Sequence, residues 1–76
     1  MLSYIYRLIR DFEQQHGIQP NLLYLNELHA KHLKAGFAEQ YSYQAIRDLL
    51  QMELIISKET IHPHVAWSST VHKKAV

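Results

Sequence analysis

The chain reads as an α+β domain: three helices and a small antiparallel sheet of two or three strands, in the order α-β-α-α-β-β. Three observations predict this. Apolar residues recur at helical spacing in residues 3–16 and 43–50. A four-residue apolar run, Leu22 to Leu25, is too short for a helix of its own. Two stretches near the end, Met52–Ser57 and His64–Ser68, alternate as strands do. At 76 residues there is room for one domain, read as residues 1–68, with 69–76 as a flexible C-terminal tail.

In the first helix Ile5, Leu8, Ile9 and Phe12 form one stripe, with Arg7, Arg10, Asp11 and Gln14 opposite. Ser3 is the expected N-cap. Gly17 supplies the left-handed stop, and His16 in the last turn suits the helix dipole. Pro20 then keeps Gln19 out of the helical region. Leu22–Leu25 is either a strand buried on both faces or the start of a helix running to residue 35. The strand is favoured because Asn26 then caps the next helix, Glu27 to Ala35, which Gly36 closes. Its apolar face is thin: Leu28, Leu33 and either Ala35 or the body of His32.

Ser42 is the expected cap of the third helix, where Tyr43, Ile46, Leu49 and Leu50 share a face. No Gly ends that helix near Gln51. In the strand that follows, Met52, Leu54 and Ile56 point one way, and Glu53, Ile55 and Ser57 the other. In the last, Val65 and Trp67 share a face. The six-residue loop 58–63 between them suggests an antiparallel hairpin, which needs a third strand or a helix for stability. The expected core is Ile5, Leu8, Ile9, Phe12, Leu23, Leu25, Leu28, Leu33, Ile46, Leu49, Leu50, Leu54, Ile56, Val65 and Trp67.

That order of elements resembles the winged helix-turn-helix domain. The matching segments are Asn26–Ala35 and Ser42–Gln51 for the helix-turn-helix, with a wing around Lys58–His62. The resemblance implies DNA binding, with Tyr43, Gln44 and Arg47 reading bases and Lys58 on the wing. It rests on element order and not on a motif. The turn from Gly36 to Tyr41 is longer than the usual three or four residues, and Arg47 is the one base of its helix, beside Asp48.

Composition narrows the function classes. Eight Lys/Arg against seven Asp/Glu leave a charge of +1, so no net field draws the chain to nucleic acid or an anionic membrane. With no Cys there is no disulfide, no thiolate nucleophile and no Cys-based zinc site. No segment reaches the roughly 18 apolar residues of a membrane span. The charged first sixteen residues are not a signal peptide, and a cytoplasmic location is expected.

Six His are many for this length. His29 and His32 share a helix face, and His62 and His64 flank Pro63, so these four are the weak candidates for a metal. The spacing lacks the HExxH pattern, and no metal or cofactor is expected. No serine sits in a nucleophile elbow, and two glycines cannot build a phosphate loop.

The aromatics remain. Tyr4 and Tyr6 flank Ile5, and only one of them can face a core. Tyr is enriched at interfaces. The expected function is therefore a small non-enzymatic protein-interaction module, self-associating or partnered, with Tyr4, Tyr6, Ile55 and Trp67 at its contact surface.

Overall fold

The computed structural model describes residues 1–37 and 41–69. The predicted tail therefore lies outside the described residues except for Ser69, as does part of the connector after Phe37. The elements are α1 (Leu2–His16), β1 (Leu22–Leu25), α2 (Glu27–Ala35), α3 (Tyr43–Leu50), β2 (Glu53–Ile56) and β3 (His64–Ala66), in the expected order. Among the described residues no helix is long and apolar enough to cross a membrane.

Helix ends follow local chemistry, with two departures. Gly17 closes α1 at φ 73°, a left-handed conformation that suits glycine. The ring of His16 packs on Phe12 one turn back, at 4.3 Å between centroids. Ser3 does not cap α1. The helix starts at Leu2, its first turn closing through Ile5 N–H to the Met1 carbonyl at 3.1 Å, so Ser3 already lies inside it. Asn26 caps α2 as expected, its Oδ1 accepting from His29 N–H at 2.8 Å. Ser42 caps α3 by accepting from Ala45 N–H at 3.1 Å. The second departure is Gln51, which ends α3 in the left-handed region at φ 59° with no glycine present. Its N–H bonds the Arg47 carbonyl at 2.8 Å, and this tight reversal feeds the chain straight into β2.

The sheet is mixed, not antiparallel. Its strand order is β2-β1-β3, with β1 parallel to β2 and antiparallel to β3. The expected β2–β3 hairpin does not form. The physical reason lies in Leu22–Leu25: a run apolar on both faces gains most in the centre, where a neighbour flanks each side. Leu22, Leu23 and Leu25 are indeed buried. The chain leaves β2 beside Leu25, crosses the end of β1, and returns as β3 beginning opposite Tyr24. Asn26 secures that crossing, its Nδ2 donating to the Thr60 carbonyl at 3.0 Å. Asn21 does the same at the other end, donating from Nδ2 to the Ser68 carbonyl (2.9 Å) and accepting from Ser68 N–H (3.0 Å).

Register assigns the two sheet faces. Leu23, Leu25, Leu54, Ile56 and Val65 share the inner face; Leu22, Tyr24, Ile55, His64 and Ala66 share the outer one. The helices supply Ile5, Ala30, Leu33, Ile46 and Leu50 to the core with Leu23 and Leu25, and Met52 closes it. Four expected core residues are largely exposed: Leu28 (61%), Leu49 (54%), Trp67 (49%) and Ile56 (46%). Each has a local cause. In α2 the inward residues are Ala30 and Leu33, which turns Leu28 outward. In α3 they are Ile46 and Leu50, which leaves Leu49 on the flank. β3 ends at Ala66, so the alternation stops before Trp67. Ile56 ends β2 at the margin of the sheet.

Candidate functional site

An apolar groove lies between α2, α3 and β2. Its cavity measures about 520 Å³ and is lined by Glu27, Ala30, Lys31, Tyr43, Gln44, Arg47, Leu54 and Ile56. Ala30, Leu54 and Ile56 form an aliphatic floor. Tyr43 is one wall, and the Lys34 ammonium lies over its ring at 5.7 Å from the centroid. On the rim, the Arg47 guanidinium donates to a Glu53 carboxylate oxygen at 3.0 Å, both side chains being part-exposed. Lys31, Gln44 and Glu27 complete the rim.

Each of these side chains is placed by a feature already described. The Asn26 cap fixes where α2 begins, and so which of its residues overlook the groove. The Ser42 cap does this for Tyr43, Gln44 and Arg47, one turn of α3 apart. The Gln51 reversal sets β2 beneath α3.

β2 lies at one edge of the sheet, with β1 as its strand neighbour among the described residues. Glu53 N–H donates to the Asn21 carbonyl (2.9 Å) and Ser57 N–H to the Leu25 carbonyl (2.8 Å), so these residues point their backbone groups at β1. By alternation Leu54 and Ile56 aim their N–H and C=O groups away from the sheet. The groove is therefore floored by the residues whose backbone is presented at the open edge.

A second concavity occupies the outer sheet face, about 540 Å³, bordered by Tyr24, Ile55, Ser57, Glu59, Thr60, Ile61, His62 and His64. Tyr24 and His64 stack there, centroids 4.6 Å apart and rings 16° from parallel. His64 Nδ1 donates to the His62 carbonyl at 3.1 Å, which fixes the ring.

This chain matches no family model, no curated protein and no solved structure. Its site must be read from its own geometry.

Of the residues predicted for partner binding, Ile55 lies on the outer face. Tyr4 and Tyr6 are exposed on α1, which packs against the inner face through Ile5. Two residues apart, they diverge by about 200° around the helix axis. Trp67 is half-exposed beyond β3. The four do not share one surface. The nucleic-acid set fares differently: Tyr43, Gln44 and Arg47 line one groove, while Lys58 follows β2 in an exposed turn and belongs to no hairpin tip. Among the described residues no three His, Cys, Asp or Glu are grouped to hold a metal. His29 is otherwise engaged, its Nδ1 accepting from Asn26 N–H at 3.2 Å and completing the capping box where Glu or Gln usually stands.

Sequence reasoning did not single out Ala30, Leu54 and Ile56 as site residues: Leu54 and Ile56 read as core, and Ala30 was not marked at all. The visible signal was only the uninterrupted Leu54-Ile55-Ile56, apolar on both strand faces.

Proposed function

We propose that this chain is a small non-enzymatic protein-interaction module and that its contact surface is the groove between α2, α3 and β2. One observation carries the reading: an aliphatic floor opens directly beside a strand edge that has no partner among the described residues. Apolar surface of that kind, rimmed by polar side chains, is the form of a protein-binding site. The rim groups are Lys31, Gln44, Glu27 and the Arg47–Glu53 pair, a set suited to orienting a partner rather than to activating a nucleophile. A cytoplasmic setting, with a protein partner or a second copy, belongs to the same proposal.

The test compares the wild-type chain with Ile56→Lys, which puts a charge on the groove floor at an already exposed position. Sedimentation and affinity capture from a cell extract should both be used. The reading holds if the wild type self-associates or retains a protein and Ile56→Lys does neither. It falls if the wild type is a strict monomer and retains nothing.

A second reading, DNA binding of winged-helix type, draws support from Tyr43, Gln44 and Arg47 lining one groove with Lys31. It is the weaker reading, since Arg47 is engaged by Glu53. A gel shift at low salt that disappears in Arg47→Ala would favour it, because phosphate contacts dominate such binding. No shift at low salt would remove it.

A further inference from the structure

We infer that β2 pairs with β2 of a second copy, antiparallel, about a two-fold axis through Ile55. The inference rests on the groove being the contact surface and names its occupant.

Backbone polarity fixes the register. Leu54 and Ile56 aim their donors and acceptors outward, as fixed by the bonds of Glu53 and Ser57 to β1. An antiparallel neighbour must meet those two residues with its own outward pair. A two-fold axis at Ile55 sets Leu54 opposite the partner's Ile56, and Ile56 opposite the partner's Leu54. Both are hydrogen-bonded pairs, so four backbone bonds form. Residues facing one another across such a ladder lie on the same sheet face. The same register therefore places the partner's Leu54 and Ile56 on the inner face, over the open end of the groove, and covers the exposed part of Ile56. Ile55 meets its own copy on the outer face.

A shift by one residue would set outward backbone against inward backbone and apolar inner faces against outer ones. Charge agrees with the pairing. Glu53 would face the partner's Ser57 with the partner's Lys58 adjacent, and along the strand no like charges meet. Between Glu53 and Ile56 β2 holds no Pro, no Lys and no bulge. A two-fold contact uses the open edge of both copies and closes.

The chain has no cysteine, so a single introduced thiol reports only contacts between copies. Ile55→Cys, Leu54→Cys and Ile56→Cys are compared under mild oxidation on non-reducing gels, with Gln14→Cys on the exposed side of α1 as the collision control. Non-hydrogen-bonded antiparallel pairs place Cα atoms about 4.5 Å apart, within disulfide range. Ile55→Cys should cross-link at least tenfold faster than Gln14→Cys. Leu54→Cys and Ile56→Cys should each stay near the control alone and link to each other when mixed. Sedimentation equilibrium should give a wild-type dimer and an Ile56→Lys monomer with the same far-UV spectrum. Cross-linking of Ile55→Cys at the control rate, or a wild type that stays monomeric at about 1 mM, overturns self-pairing. A monomeric wild type that still retains a protein through Ile56 also overturns self-pairing, while leaving the groove as a contact surface.

Discussion

The two edges of the sheet are managed in opposite ways. β3 has three residues, starts directly after the buried Pro63, lies next to α1, and is tied down by the Asn21–Ser68 pair of hydrogen bonds. Shortness, proline and a covering element are the usual means of closing an edge. β2 is only one residue longer, but it holds no proline and, among the described residues, no strand pairs with its outer side. It is fed by a tight reversal at Gln51, presents two apolar residues beside a groove, and aims their backbone groups at solvent. In a domain this small one undefended edge is a large fraction of the surface, and the contrast locates the contact site.

Perturbations that separate the two edges rank as follows. Both depend on β1, so Leu23→Ala should have the largest effect. Leu23 is fully buried between Leu54 and Val65. Its truncation should destabilise by about 2–5 kcal/mol, leaving much of the chain unfolded by circular dichroism at 25 °C. A melt within a degree of wild type would mean that β1 is not the shared centre.

Asn21→Ala removes both side-chain bonds to Ser68 and acts on the β3 side. A loss of about 1–3 kcal/mol is expected in urea denaturation. Self-association, measured by sedimentation, should be unchanged below the denaturation midpoint. Weakened association would show that the edges are coupled.

Gln51→Gly acts at the entrance to β2. A non-glycine residue in the left-handed region is strained by about 1–2 kcal/mol, and glycine relieves this at some cost in unfolded-state entropy. The net gain should be under about 1 kcal/mol, seen as a higher melting temperature. A lower one would mean that the Gln51 side chain contributes more than the backbone strain removes.

Arg47→Met breaks the ion pair with Glu53 on the groove rim. Part-exposed pairs contribute about 0.2–1 kcal/mol, so the effect should be small and should fade in high salt. A larger loss that persists in salt would place Arg47 in the packing of the rim rather than in an ion pair.

Much of the fold was legible because it is written in short-range chemistry. Asn26 and Ser42 announce their caps, Gly17 its reversal, and the Leu22–Leu25 run a strand buried on both faces. What was not legible depends on long-range placement. Strand order decides whether Leu54 and Ile56 are core or edge, and no local pattern carries strand order. The antiparallel hairpin was the economical expectation for two strands joined by a short loop, and the demand of β1 for two neighbours overrode it. The candidate site was half visible: Tyr43, Gln44 and Arg47 were marked as a group. Their shared groove with Ala30, Leu54 and Ile56 emerges only once β2 lies under α3. His29 closing a capping box could not be anticipated, since imidazole rarely fills that position.

Pairing of the β2 edge with its own copy is read residue by residue by amide hydrogen exchange. At low micromolar concentration the Glu53 and Ser57 amides should be protected, and those of Leu54 and Ile56 should exchange as exposed amides do. At about 1 mM the Leu54 and Ile56 amides should gain protection, while Glu53 and Ser57 stay protected at both concentrations. Leu54 and Ile56 amides that still exchange as exposed amides at about 1 mM would contradict it.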